Sequence, residues 1–581
     1  MTVEGRSVLI CLCRNGEPMP NPRPALPASL FRFVVENVSG VGLVLGALLM
    51  AASLTPSLIP RGEGVQGVLA GVCFAAGYGL AVLLRWIWVT LDLPLLHGRT
   101  GRQVLLALAT LATLIVASFL AQATDWQNDV RAAMGMAPAP PELPLMIGTL
   151  AFLVAAALLI LGKLAALFVR RLIARIAQVM PRRAAHLLGL IIGGILLWSL
   201  ANGVLFSGFI RTADSSARAL DAVIPPDIQP PSDPMRPGSP ASLVAWQDLG
   251  REGRNYVHTT PTAADIAAVT GGRTMQPLRA YVGLNAAETA EDRAALAVAE
   301  LDRIGGFDRS ILVVAMPTGT GWLDPAAVTT LEYLHRGDVA TVAIQYSYLQ
   351  SWISLLVEPE YSAEAGRELF SAVYRHWRTL PEGERPELYL YGLSLGAYSS
   401  QQSLRLYEMI DQPFAGALWV GPPFVSPLWQ TLTRERDPAS PEWLPRMDQG
   451  QTVRFTNGRQ GLSPQDVWGG IRIVYLQYAS DPIVFFDPGS AWRRPDWMET
   501  PRGPDVSTDL RWYPIVSFLQ LAFDMAVSLH VPMGHGHLYA YDDHIAPWMA
   551  VTQPPGWDEA GLDRLRRHFQ GLQAQQGGSA D

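Results

Sequence analysis

Five apolar runs, each near the ~20 residues needed to cross a bilayer, occupy roughly residues 39–59, 66–91, 104–123, 144–169 and 186–210. Buried helices of soluble proteins seldom run so long without a charged face. Five in succession confine this part of the chain to a bundle of membrane-spanning helices. Composition agrees: of 581 residues, 49% are hydrophobic and only 16% charged, against ~25% charged in soluble domains. No cleavable signal peptide is expected, because the early apolar stretch from Ser7 to Cys13 is short and no small-residue cleavage site follows it.

Arginines set the orientation of the five spans. The N-terminal tail carries Arg6, Arg14, Arg23 and Arg32. The second-to-third connection carries Arg99 and Arg102, and the fourth-to-fifth Arg170, Arg171, Arg175, Arg182 and Arg183. The other two connections hold one arginine each, Arg61 and Arg131. This alternation puts the N-terminus in the cytoplasm and everything beyond residue 211 outside it. Arg85 and Lys163 interrupt spans near their cytoplasmic ends, where long side chains snorkel to the interface.

Residues 222–240 contain seven prolines, a density that excludes helix and central strand and predicts a stiff, extended spacer holding the next domain off the membrane. The expected organisation is a cytoplasmic tail over 1–30, a transmembrane domain over 31–215, a Pro-rich linker over 216–241 and a catalytic domain over 242–575. In that last part, apolar runs of strand length alternate with amphipathic helical stretches, as in a mostly parallel sheet with helices on both faces. Strands are expected at 278–284, 310–316, 339–345, 387–391, 415–420 and 471–479. Helices are expected at 287–304, 362–379 and 401–410. A net charge of −7 excludes the basic field of a nucleic-acid binder. With Cys11, Cys13 and Cys73 the only cysteines, the catalytic part can hold neither a disulfide nor a cysteine metal site.

Residues 387–400 read ELYLYGLSLGAYSS, a strand running through Gly392-Leu393-Ser394-Leu395-Gly396 into a helix. This is the nucleophile-elbow context, in which Ser394 is exposed at a strained turn and side chains at 392 and 396 would collide with their surroundings. Serine alone is a poor nucleophile, so an acid and a base must follow it in the order Ser, acid, His. Asp481 stands at the carboxyl end of the last expected strand, with Asp487 as second choice. His530, His535, His537 and His544 crowd a short later stretch. His537 is the expected base, because Leu538 and Tyr539 can lock its ring, and His535 between two glycines is the alternative. Backbone N–H groups of Leu395 and of Thr318, in the loop Pro317–Trp322, are the expected oxyanion donors.

The segments PTGTGW (317–322), QYSYLQSW (345–352), YGLSLGA (391–397), YLQYASDPIV (475–484) and VPMGHGHLY (531–539) together resemble a bacterial family of integral-membrane α/β-hydrolases. That family joins an N-terminal multi-span segment to a C-terminal α/β-hydrolase domain. The resemblance implies Ser394 as nucleophile, Asp481 as acid and the Gly-His-Gly-His segment as the source of the base. It implies no substrate. One departure from the wider superfamily is the missing strand before the histidine, since 513–529 reads as helix.

The function expected is a serine hydrolase (esterase, lipase or thioesterase-like) in the bacterial inner membrane. Its catalytic domain is extracytoplasmic and its substrate acylated or lipid-like, with no cofactor or metal. An acyltransferase would use the same triad with a non-water acceptor. A metal-dependent hydrolase on His535, His537, Asp542, Asp543 and His544 would leave the elbow serine unexplained. A non-catalytic scaffold or a transporter would leave every catalytic role filled to no purpose.

Overall fold

A computed structural model describes residues 38–95, 98–224, 228–351, 353–354, 359–404, 412–463 and 467–577. The arginines of the N-terminal tail and most of the helix expected at 401–410 lie outside these.

The N-terminal half is helical: α1 (Gly40–Ser53), α2 (Glu63–Thr90), α3 (Gly98–Ala133), α4 (Leu143–Ile176) and α5 (Arg182–Trp198). Helix α5 continues through π-helical turns (Ser199–Phe206) into α6 (Ser207–Ala222). Four helices, rather than the five expected, are long and apolar enough to cross a membrane among the described residues. The first run forms a helix of only 14 residues, about 21 Å long at ~1.5 Å per residue. The cause is local: Pro56 and Pro60 cannot continue a helix, and residues 54–61 turn aside into a buried, irregular segment.

The C-terminal half is built on seven parallel strands, β1 (Leu278–Val282), β2 (Ile311–Met316), β3 (Val339–Ile344), β4 (Glu387–Leu393), β5 (Gly416–Val420), β6 (Val453–Thr456) and β7 (Arg472–Leu476). Their order across the sheet is β1-β3-β2-β4-β5-β7-β6. Helices α7 (Ala290–Arg303), α8 (Pro325–Leu334), α9 (Pro359–Thr379), α10 (Leu395–Gln402), α11 (Val516–Ala526) and α12 (Tyr541–Thr552) accompany it. Strands β1 to β5 and β7 stand where the apolar runs place them. Such runs are continuous because both faces of a parallel sheet are covered. The edge strand β6 is unexpected; it precedes β7 in the chain and occupies the edge beyond it. The stretch before the histidine is helix α11, as its composition indicates.

The two halves share one core. Leu58 and Ile59 from the α1–α2 connection, and Val130 and Met134 from the end of α3, are buried in the same cluster as the sheet. Ala52, Leu69 and Cys73 of the helical half are buried with Val516 of α11. The proline-rich segment is irregular, but it does not hold the domains apart. Asp221 and Val223 offer their carbonyls to Arg254 at 2.7 and 2.8 Å, and Pro234 offers its own to Arg303 at 2.7 Å. Proline removes backbone donors and keeps acceptors, so arginine donors draw such a chain onto the domain surface.

Candidate active site

Strand β4 delivers Ser394 into a backbone conformation of φ 56° and ψ −125°, and α10 begins at the next residue. A non-glycine residue held there is strained and marks a site worth explaining. The flanking glycines are a steric necessity. A methyl group on Gly392 would lie 2.3 Å from Gly396 O, and one on Gly396 would lie 2.2 Å from Met316 O in β2. The Ser394 N–H donates to Val420 O at 2.8 Å, fixing the turn to the end of β5.

Asp481 follows β7 by five residues and is fully buried. Its Oδ2 accepts from His537 Nδ1 at 2.7 Å and from the Tyr539 hydroxyl at 2.6 Å, and its Oδ1 accepts from Ile483 N at 2.9 Å. Because a carboxylate takes Nδ1, that nitrogen is assigned the proton and Nε2 the lone pair. His537 Nε2 is buried without a hydrogen-bond partner among the described residues. The ring lies against the end of β5: a methyl group on Gly421 would stand 2.9 Å from His537 Cε1. Gly421 is next to Val420, whose carbonyl holds the Ser394 N–H. Burial and the neighbouring Asp481 push the Tyr539 phenol well above its ordinary pKa, which keeps it a donor.

The histidine loop is tied from three directions. Gly536 N donates to Ser480 Oγ at 2.9 Å, His537 N to Ser528 O at 3.2 Å, and Gly534 N to Leu538 O at 2.8 Å. His535 takes no part in the carboxylate cluster. Its Nδ1 is buried without a partner among the described residues, and burial lowers its pKa. Asp487 accepts from Gly489 N at 2.7 Å and pairs with Arg493 at 3.6 Å, away from any histidine.

The N–H of Leu395 opens α10, where the first amides have no intrahelical acceptor. That of Thr318 is engaged, contrary to expectation: it donates to Trp322 O at 2.9 Å, while Gly319 N donates to Ser351 Oγ at 3.1 Å. Gly321, at φ 88°, closes this turn and sets the competition for Thr318. The residues of the metal alternative go separate ways. Asp543 accepts from the Tyr478 hydroxyl at 2.6 Å, Asp542 from Gln570 at 2.9 Å, and His544 Nδ1 meets Ala540 O at 2.8 Å.

Tyr539 does more than was expected of it, and a second neighbour, Asp324, has no counterpart among the residues singled out from the sequence. Tyr539, expected to lock the His537 ring, meets it edge-on at 5.9 Å between ring centroids and also donates its hydroxyl to Asp481 Oδ2. Asp324 caps α8 through Ala326 N at 2.9 Å, and its Oδ2 lies 3.6 Å from His544 Nε2. Burial raises Asp324 to about 7, against a pull from His537, and lowers His544 to about 4. Near neutral pH His544 is therefore uncharged, and the two meet as a close polar contact rather than an ion pair. No local pattern marks Asp324 as more than a helix cap.

Residues 278–565 match an alpha/beta-hydrolase family, and residues 54–261 match that family's N-terminus. No curated protein and no solved structure matches the chain.

Proposed function

The chain belongs to an alpha/beta-hydrolase family with its own N-terminal segment, and on that premise we propose that it is a membrane-embedded serine hydrolase cleaving acyl esters. The observation that carries the reading is the 2.7 Å contact of His537 Nδ1 with the buried Asp481, taken with a serine strained at φ 56° whose N–H is held by Val420, the residue before the Gly421 that the His537 ring lies against. Ser394 Oγ attacks the acyl carbonyl carbon while His537 Nε2 takes its proton. The oxygen of the tetrahedral adduct is received by the Leu395 N–H, and by Thr318 once its turn bond to Trp322 gives way. Such contacts commonly form only in the complex. Collapse expels the alcohol, which leaves with the proton from His537. Water then attacks the acyl-enzyme carbonyl and gives its proton to Nε2; the acyl–Oγ bond breaks, the acid departs, and Nε2 returns the proton to Ser394 Oγ. Asp481 keeps the imidazole in its working tautomer throughout, with Tyr539 holding the carboxylate.

An acylated or lipid-like substrate is supported by the partly exposed aromatics near the site. Phe424, just beyond Gly421, meets Phe486 at 4.8 Å, and Phe486 meets Phe518 of α11 at 5.5 Å between ring centroids. Val516, at the start of α11, lines an apolar cavity of about 360 Å³ together with Leu49, Leu80 and Phe119 of the helical half. Turnover of esters graded by chain length tests the reading. Ser394→Ala should abolish it, by several orders of magnitude, in a chain that still folds. A folded variant retaining more than a few per cent of activity sinks the serine mechanism.

The same reading places the catalytic half outside the cytoplasm in a multi-pass membrane protein. It is supported by where that half is seated: against the α1–α2 connection and the end of α3, the arginine-poor side. Alkaline phosphatase fused after residue 241 should be active. An inactive fusion, with a cytoplasmic reporter active at the same point, overturns the topology.

A further inference from the structure

Beneath the histidine loop lies a buried polar junction that the hydrolytic steps do not use. Asp524, on the last turn of α11, is wholly buried. Its Oδ2 accepts from the Ser57 hydroxyl and from Leu58 N at 3.2 Å, and its Oδ1 lies 3.7 Å from Arg61 Nε. One turn earlier, Gln520 Nε2 reaches Thr55 O at 3.0 Å and Ser53 O at 3.3 Å. Arg61 is itself fixed to the helical half, its N–H donating to Gln127 Oε1 of α3 at 2.8 Å.

What α11 holds at its far end is the histidine. Ser528, four residues beyond Asp524, accepts the His537 N–H at 3.2 Å. Gly536 adopts φ 55°, and a methyl group there would stand 2.9 Å from Ser528 O and 2.8 Å from Val531 Cγ2. The next nearest atom is Ile59 Cγ2, at 3.7 Å, from the α1–α2 connection of the helical half. That connection therefore lies alongside the histidine loop, within van der Waals reach of a methyl group placed at Gly536, and also grips the helix from which the loop departs. Apolar packing alone would suffice to join two domains. A buried charge pair contributes little net stability, and fixing one register is the best-attested use of such a pair.

We propose that the segment Leu54–Arg61, acting through Asp524 and Ile59, is a positioning element for His537, so that the helical half completes the catalytic framework as well as carrying it. The proposal rests on the reading of His537 as the base. Ser57, Ile59, Arg61 and Asp524 touch no substrate; they act through the backbone of residues 528–537.

The test uses the full chain in lipid nanodiscs. Asp524→Leu would remove the acceptor of the Ser57 hydroxyl and of Leu58 N–H along with the charge and could misfold, so the series is Ser57→Ala, Ile59→Ala and Asp524→Asn, which keeps an acceptor, with Ile59→Val as the conservative rescue. Amide exchange, which needs no activity, should quicken by roughly tenfold across 528–538 in the first three variants, with β4 and β5 unchanged. On a short, water-soluble ester, kcat per fluorophosphonate-titrated serine should fall by roughly tenfold with KM within about twofold, and Ile59→Val should match the parent. Unchanged exchange, or an unchanged kcat per titrated serine in variants that merely yield less folded protein, overturns the proposal. A parent chain that never takes the probe sinks the serine reading instead. The exchange result then decides by itself whether Leu54–Arg61 holds the loop.

Discussion

The two halves of this chain place their large apolar residues by opposite rules. In the helical half, Leu145, Phe152 and Trp198 are 75%, 72% and 69% exposed. In the hydrolase half, every residue of β1, β2, β3 and β5 is buried. The first arrangement would be penalised in water and is neutral in lipid, where helices gain nothing by hiding leucine. The second is what water enforces. Between them runs a seam with a third rule: Ser53, Thr55, Ser57, Arg61, Gln66, Gln127, Gln520 and Asp524 are all buried. Polar groups removed from solvent need partners, and Ser57, Leu58 and Thr55 find theirs across the seam on Asp524 and Gln520, which favours one docking where two apolar faces would tolerate several. The family match runs through the α1–α2 connection as well as the catalytic domain.

The sharpest way to break this contrast is to ask which half a lesion silences. His537→Ala should reduce ester turnover nearly as far as loss of the serine, by several orders of magnitude, while His535→Ala keeps measurable turnover. The reverse ranking in steady-state kinetics would move the base to His535. Next comes the seam. Arg61→Leu strands the buried Asp524 carboxylate and should cost about 3–5 kcal/mol in stability, read as a lower unfolding midpoint in detergent. A midpoint within error of the parent would mean that the pair contributes nothing to docking. The finest test compares two phenylalanines. Phe370→Ala in α9, at 1% exposure, should cost about 3–5 kcal/mol. Phe152→Ala in α4 should shift stability by less than about 0.5 kcal/mol. Equal effects would erase the distinction between the halves.

Much of this was legible from residues alone, for reasons specific to each. Strands β2 and β3 read as unbroken apolar runs because helices cover both faces. Ser394 was legible because two glycines at fixed offsets are forced by backbone contacts, and Asp481 because it stands just past a strand end. What escaped depends on contacts between distant segments. Strand β6 is four residues long, and two of them, Arg454 and Thr456, are polar; Arg454 stacks on the Trp468 ring at 3.6 Å. The short first helix follows from Pro56 and from a docking surface formed by residues more than 450 positions away. The engagement of the Thr318 N–H follows from a turn that its glycines permit but do not announce. Asp324 looks like any helix cap until the fold brings His544 to it.

Every step proposed above depends on Ser394 being an activated nucleophile in the intact, membrane-embedded chain. Labelling nanodisc-reconstituted protein with a fluorophosphonate probe, then mapping the adduct by peptide mass spectrometry, tests it directly. One adduct per chain is expected, on Ser394, lost in Ser394→Ala and greatly slowed in His537→Ala. Absence of labelling in a folded parent chain, or labelling that persists in Ser394→Ala, would contradict it.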